Sequence, residues 1–134
     1  MTKLLNIEGV GEVYAAKLKA AGIKTAEALL EKGSTPSDRK TIAEKSGIGD
    51  GLILDWVNHM DLCRVKGIGE EYSHLLEVAG VDTIPELAQR NPENLYKKLV
   101  DVNAEKKLVR KLPVEAQVAN WIEQAKCLPR KINY

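Results

Sequence analysis

The sequence predicts an all-α fold built from two tandem units of short helices joined by Gly-x-Gly hairpins. Three observations carry that prediction. Residues 7–33, IEGVGEVYAAKLKAAGIKTAEALLEKG, recur as residues 65–91, VKGIGEEYSHLLEVAGVDTIPELAQRN, at a constant offset of 58 (65 minus 7), with nine identities and no gap. Apolar residues fall three or four apart nearly everywhere, as in Val13, Ala16 and Ala20, and no strand-like alternation is sustained. Glycines flank one apolar residue just ahead of helical stretches, at Gly9-Val10-Gly11, Gly47-Ile48-Gly49 and Gly67-Ile68-Gly69.

The elements follow in order. After Gly11 the periodic pattern predicts a helix to about Ala21, where Gly22 supplies a left-handed stop; the second copy repeats this between Gly69 and Gly80. Ile23-Lys24-Thr25 and Val81-Asp82-Thr83 then lead into short helices at about 26–32 and 84–90, and Thr83 with Glu86 has the spacing of a capping box. Thr35-Pro36 and Asn91-Pro92 each place a capping residue before a proline at the first helical position. In the first half that helix is expected to reach about Lys45, turn at Gly47-Ile48-Gly49, and give way to a helix through Trp56 to about Leu62. The second half departs here: a basic segment ending at Pro113 stands where the glycine turn would be, before a helix through Trp121.

At 134 residues the chain has room for two small units, read as 1–64 and 65–134. Its 20 Lys and Arg against 19 Asp and Glu leave a formal charge of +1, so net attraction gives no support for nucleic-acid binding and any such case rests on local charge. There is no Phe, and the core falls to Leu, Ile, Val and Ala. Cys63 and Cys127 form no Cys-x-x-Cys pattern and read as reduced thiols; with no leader-like or membrane-length apolar run, the expected location is cytoplasmic, without membrane attachment.

The sequences Ile7-Glu8-Gly9-Val10-Gly11, Gly47-Ile48-Gly49 and Val65-Lys66-Gly67-Ile68-Gly69, with the following Gly-Ile-x-Thr and Gly-Val-x-Thr segments, resemble the helix-hairpin-helix motif. Each half looks like a double helix-hairpin-helix unit of SAM-like architecture, the second having a degenerate final hairpin. The chain as a whole also resembles an uncharacterised bacterial family of duplicated helix-hairpin-helix proteins. The resemblance implies sequence-nonspecific binding to the backbone of nucleic acid, duplex DNA in particular, by a non-enzymatic module. Glycines bring the backbone close to a ligand, and unpaired amides at a helix start hold a phosphate oxygen at the positive end of the helix dipole. Such contacts carry no base information.

The residues expected to bind are therefore Gly9, Val10, Gly11, Gly47, Ile48, Gly49, Lys66, Gly67, Ile68 and Gly69. Against this stands Glu12, Asp50 or Glu70 in the first turn after each hairpin, where an acid stabilises the helix dipole and competes for the same amides. Glycine turns kept only to join helices are the alternative. Residues 97–111 hold six cations against Asp101 and Glu105, a local +4 that singles out Lys106, Lys107, Arg110 and Lys111 as phosphate contacts, with a solvated helix face as the competing reading. The alternative function is a protein-interaction or scaffolding module that keeps the fold without binding DNA. His59 and Cys63 lie four apart without a partner pair for a metal, no nucleophile and base are arranged by spacing, and no cofactor motif is present, so no catalytic residue, metal or cofactor is expected. Tyr14, Tyr72, Trp56 and Trp121 read as packing residues.

Overall fold

The computed structural model describes residues 3–7 and 9–133, the side chains of Asn6 and Glu70 excepted. It is all-α, with eight α-helices and no strand among the described residues. Two compact units emerge, Met1–Asp61 with Arg130–Tyr134, and Leu62–Pro129.

In the first unit a 3-10 turn at Leu4–Asn6 precedes α1 (Glu12–Ala20), α2 (Ala26–Lys32), α3 (Pro36–Ser46) and α4 (Asp50–Leu62), whose last residue belongs to the second unit. Helix α1 stops through a Schellman motif: Gly22, at φ 91°, donates its N–H to the Lys19 carbonyl at 3.0 Å, and Ile23 donates to the Leu18 carbonyl at 2.9 Å. Ile23 and Leu18 are both buried, which adds the apolar contact this motif favours. The hydroxyl of Thr25 accepts from the Ala28 N–H at 3.1 Å to start α2, and that of Thr35 accepts from the Asp38 N–H at 3.1 Å to start α3. Gly47 ends α3 in the left-handed region. Ser46 then pins the next turn, its Oγ donating to the Ile42 carbonyl at 2.7 Å and accepting from the Ile48 N–H at 3.2 Å.

The core of this unit joins Leu18, Ile23, Leu29, Ile53 and Val57 to Ile132, which is 1% exposed. The C-terminal segment is held by polar contacts as well. Asn133 donates its N–H to the Ser34 carbonyl at 2.8 Å, and the buried Arg39 guanidinium donates to the carbonyls of Asn133 (2.8 Å) and Gly33 (2.9 Å).

The second unit contains α5 (Glu70–Val78), α6 (Ile84–Ala88), α7 (Pro92–Lys106) and α8 (Glu115–Cys127). The Schellman stop recurs, with Gly80 donating to Glu77 at 3.0 Å and Val81 to Leu76 at 2.8 Å. Thr83 and Asn91 cap α6 and α7 by accepting from the N–H groups of Glu86 and Asn94. The Thr83 hydroxyl donates to the Glu86 carboxylate at 3.2 Å, so the expected capping box closes on the side-chain oxygen. Its core gathers Leu62, Leu75, Leu76, Leu87, Leu95 and Leu99 around Val118 and Trp121.

The units diverge at their third helices. Helix α3 has 11 residues and α7 has 15, so the basic segment begins inside a helix. Ala104-Glu105-Lys106 are strong helix formers with no glycine or proline to stop them. The chain leaves α7 at Lys107, the one non-glycine residue with positive φ (52°) among the described residues. Asn103 then clamps the loop: its Nδ2 donates to the Val109 carbonyl at 3.2 Å and its Oδ1 accepts from the Val109 N–H at 2.9 Å. Helices α4 and α8 match again, with 13 residues each and a tryptophan at the seventh.

Candidate nucleic-acid interface

The first and third glycine turns are built alike. Val10 donates its N–H to the Ile7 carbonyl at 3.0 Å and Ile68 to the Val65 carbonyl at 3.1 Å, with Gly9 (φ 88°) and Gly67 (φ 98°) at the third position of each turn. A tryptophan from the last helix of each unit lies against that glycine. A Cβ at Gly9 would sit 3.4 Å from Trp56 Nε1, and one at Gly67 only 2.9 Å from Trp121 Nε1. Tyr14 and Tyr72 pack on the same tryptophans, both with ring centroids 5.3 Å apart.

The three middle residues, Val10, Ile48 and Ile68, are 3–5% exposed, so their side chains belong to the cores and only backbone is left for a ligand. The trailing glycines differ: a Cβ at Gly11, Gly49 or Gly69 would meet nothing within 4 Å. Gly11 and Gly69 are the N-cap residues of α1 and α5, and neither helix has a side-chain cap, unlike α2, α3, α6 and α7. These two starts therefore lack a side-chain cap and have open space beside their glycines. Exposed Glu12 stands in the first turn of α1 and exposed Asp50 in that of α4, while the side chain of Glu70 lies outside the described residues.

In the second unit the basic segment is tied to the helix that follows the third turn. The Tyr72 hydroxyl, in the first turn of α5, donates to the Lys111 carbonyl at 2.9 Å. The turn itself is fastened to α8, where Gln124 accepts from the Lys66 N–H at 2.8 Å and donates to the Lys66 carbonyl at 3.0 Å. Both contacts hold main chain, and the Lys66 residue remains exposed. Lys106, Lys107, Arg110 and Lys111 are exposed and form no ion pair among the described residues. Lys97 takes the ordinary helix-face role instead, pairing with Glu93 at 3.3 Å. The other two turns, Gly9–Gly11 and Gly47–Gly49, belong to the first unit, whose own third-to-fourth helix connection is three residues, 47–49, without a cation.

Sequence reasoning missed the Gln124 clamp, the Asn103 clamp and the Tyr72 tether, which depend on partners 58, 6 and 39 residues away. One missed pair had a signal. Lys32 and Arg90, at the repeat offset, donate to the carbonyls of Gly22 and Gly80, each at 3.3 Å. His59 is 2% exposed and sits inside the protein, Cys63 and Cys127 are not joined in a disulfide, and no group of three metal-ligating side chains occurs among the described residues. No helix among the described residues is long and apolar enough to cross a membrane.

Fold and site define an all-helical chain of two units that repeat a tryptophan-backed glycine turn. The chain belongs to the family described as Domain of unknown function (DUF4332), whose model matches residues 8–128. Neither the curated proteins nor the solved structures contain a match to it.

Proposed function

We propose that the protein is a non-enzymatic, sequence-nonspecific binder of nucleic-acid backbone, that its glycine turns are helix-hairpin-helix turns, and that the second unit carries the main contact with duplex DNA. The observation that supports this most is the 2.9 Å hydrogen bond from Tyr72 to the Lys111 carbonyl, which ties the main chain of the exposed basic segment to the first turn of α5. Amides at that start donate to a phosphate oxygen, and Lys66, Lys106, Lys107, Arg110 and Lys111 neutralise its neighbours. Four to five such contacts displace as many condensed counterions, so binding is steeply dependent on salt. Gly9–Gly11 and Gly47–Gly49 serve as weaker contacts, because Glu12 and Asp50 compete with phosphate at the helix starts.

The test is fluorescence anisotropy with a labelled duplex of about 20 base pairs. Dissociation constants in the micromolar range at about 50 mM salt should weaken by about 10²-fold at about 200 mM. Replacing Lys106, Lys107, Arg110 and Lys111 with Ala should weaken binding at least tenfold and flatten the salt slope, whereas Lys40→Ala with Lys45→Ala should leave both nearly unchanged. Tyr72→Phe should fall between these, since it frees the segment and keeps its charge. Absence of binding at low salt would overturn the proposal. It would favour the protein-interaction alternative, which is supported by exposed Val13 (69%) and Leu52 (39%) close after the two turns of the first unit.

A further inference from the structure

A second group of unpaired cations lies in the first unit. Lys3, Lys19 and Lys24 surround a cleft of about 450 Å³ whose apolar lining includes Leu4, Leu5 and Ala15. All three lysines are exposed, and none forms an ion pair among the described residues. Leu5 is 50% exposed, one of few large apolar side chains left in water.

The repeat makes this cleft informative. At the offset of 58, Lys3, Lys19 and Lys24 correspond to Asp61, Glu77 and Asp82, so the charge is reversed at all three positions. Asp61 is buried and already engaged, and Glu77 is held 3.9 Å from His74. Asp82 remains exposed, and Glu86, four residues on, is exposed as well. Partial desolvation and then the Asp82 carboxyl raise the pKa of Glu86 above its ordinary value, with the Thr83 hydrogen bond and the attraction of Arg90 opposing. Neighbouring carboxyls repel once ionised and favour an incoming cation. Val78, next to Glu77 in sequence, is 40% exposed.

We propose that the lysine cleft of one copy docks the Asp82 and Glu86 face of a second copy, so that the chain self-associates head to tail. The two faces differ, which makes the contact heterologous and able to extend beyond a dimer. A protein surface suits the cleft better than a phosphate backbone does, because half-exposed Leu5 gains only from an apolar partner, and the complementary charge is carried by the chain itself. Ion pairs at an exposed surface are individually weak, so the association is concentration-dependent and screened by salt. This inference does not rest on nucleic-acid binding and is tested without it.

Sedimentation equilibrium of the full chain provides the test. The average mass should rise with concentration at about 50 mM salt and fall back towards one chain at about 500 mM. K19E with K24E, and separately D82K with E86K, should each stay at the mass of one chain, since each variant faces itself with like charge. An equimolar mixture of the two should associate again, which a folding defect would not restore; circular dichroism confirms that both fold. Wild-type protein that remains at the mass of one chain, variants that associate as it does, or folded variants that fail to recover on mixing would each overturn the proposal. So would loss of duplex affinity in the lysine variant with no change in mass, which would assign the cleft to phosphate.

Discussion

At Gly67 two separate demands coincide. Its φ of 98° lies where L-residues are strained, and Trp121 Nε1 stands 2.9 Å from where a Cβ would be. Two positions on, Gly69 has φ −98° and open space around it, so it needs no glycine for packing and serves as an N-cap. Gly67→Ala should therefore cost on the order of 3 kcal/mol, from strain plus displacement of the indole, whereas Gly69→Ala should cost only about 0.5–1 kcal/mol. Denaturant unfolding of the two variants checks this, and equal losses would contradict it. The same contrast separates the leading glycine, which makes the fold, from the trailing one, which leaves room for a ligand.

Among the elements, α7 carries the divergence between the halves. Where α3 ends on Gly47 in the left-handed region, α7 ends on Lys107 in the same region, with a side chain that costs about 1 kcal/mol there. Lys107→Gly should raise stability by about 0.5–1 kcal/mol, while weakening duplex binding through the lost charge. Opposite signs in melting and in anisotropy are the outcome that checks both roles of the residue. Most helices were legible because their ends are written locally, in Thr25, Thr35, Thr83 and Asn91 as caps and in Gly22, Gly47 and Gly80 as stops. The end of α7 was not, because no glycine or proline marks it before Pro113. Of the candidate site, the glycines and cations were readable as residue types. That Lys111 meets α5, and that Val10, Ile48 and Ile68 turn inward, follows from tertiary packing and has no local signature.

For the molecule as a whole, the last described residues matter more than their position in the sequence implies. Ile132 fills the core of the first unit, and Asn133 bonds to Ser34 and to the buried Arg39. Ending the chain after Pro129 removes an apolar side chain worth about 1.5–3 kcal/mol and at least two hydrogen bonds of about 1 kcal/mol each. The loss should fall on one unit: hydrogen exchange in α3 should accelerate by two orders of magnitude or more, while α7 and α8 keep their protection. Uniform acceleration would show that the units do not unfold separately. No periodic feature of the sequence marks residues 130–133 as part of the first unit, because a return to an earlier unit leaves no periodic trace.

That return also sets a timetable. A chain emerging from the ribosome presents residues 62–129 in full before Ile132 and Asn133 are available to residues 1–61. The unit translated first is thus the one completed last, and until then Arg39 lacks its Asn133 carbonyl and the core lacks Ile132. Nascent chains stalled short of residue 132 would be more open to proteases in α1 to α3 than in α5 to α8, the reverse of the usual vectorial order.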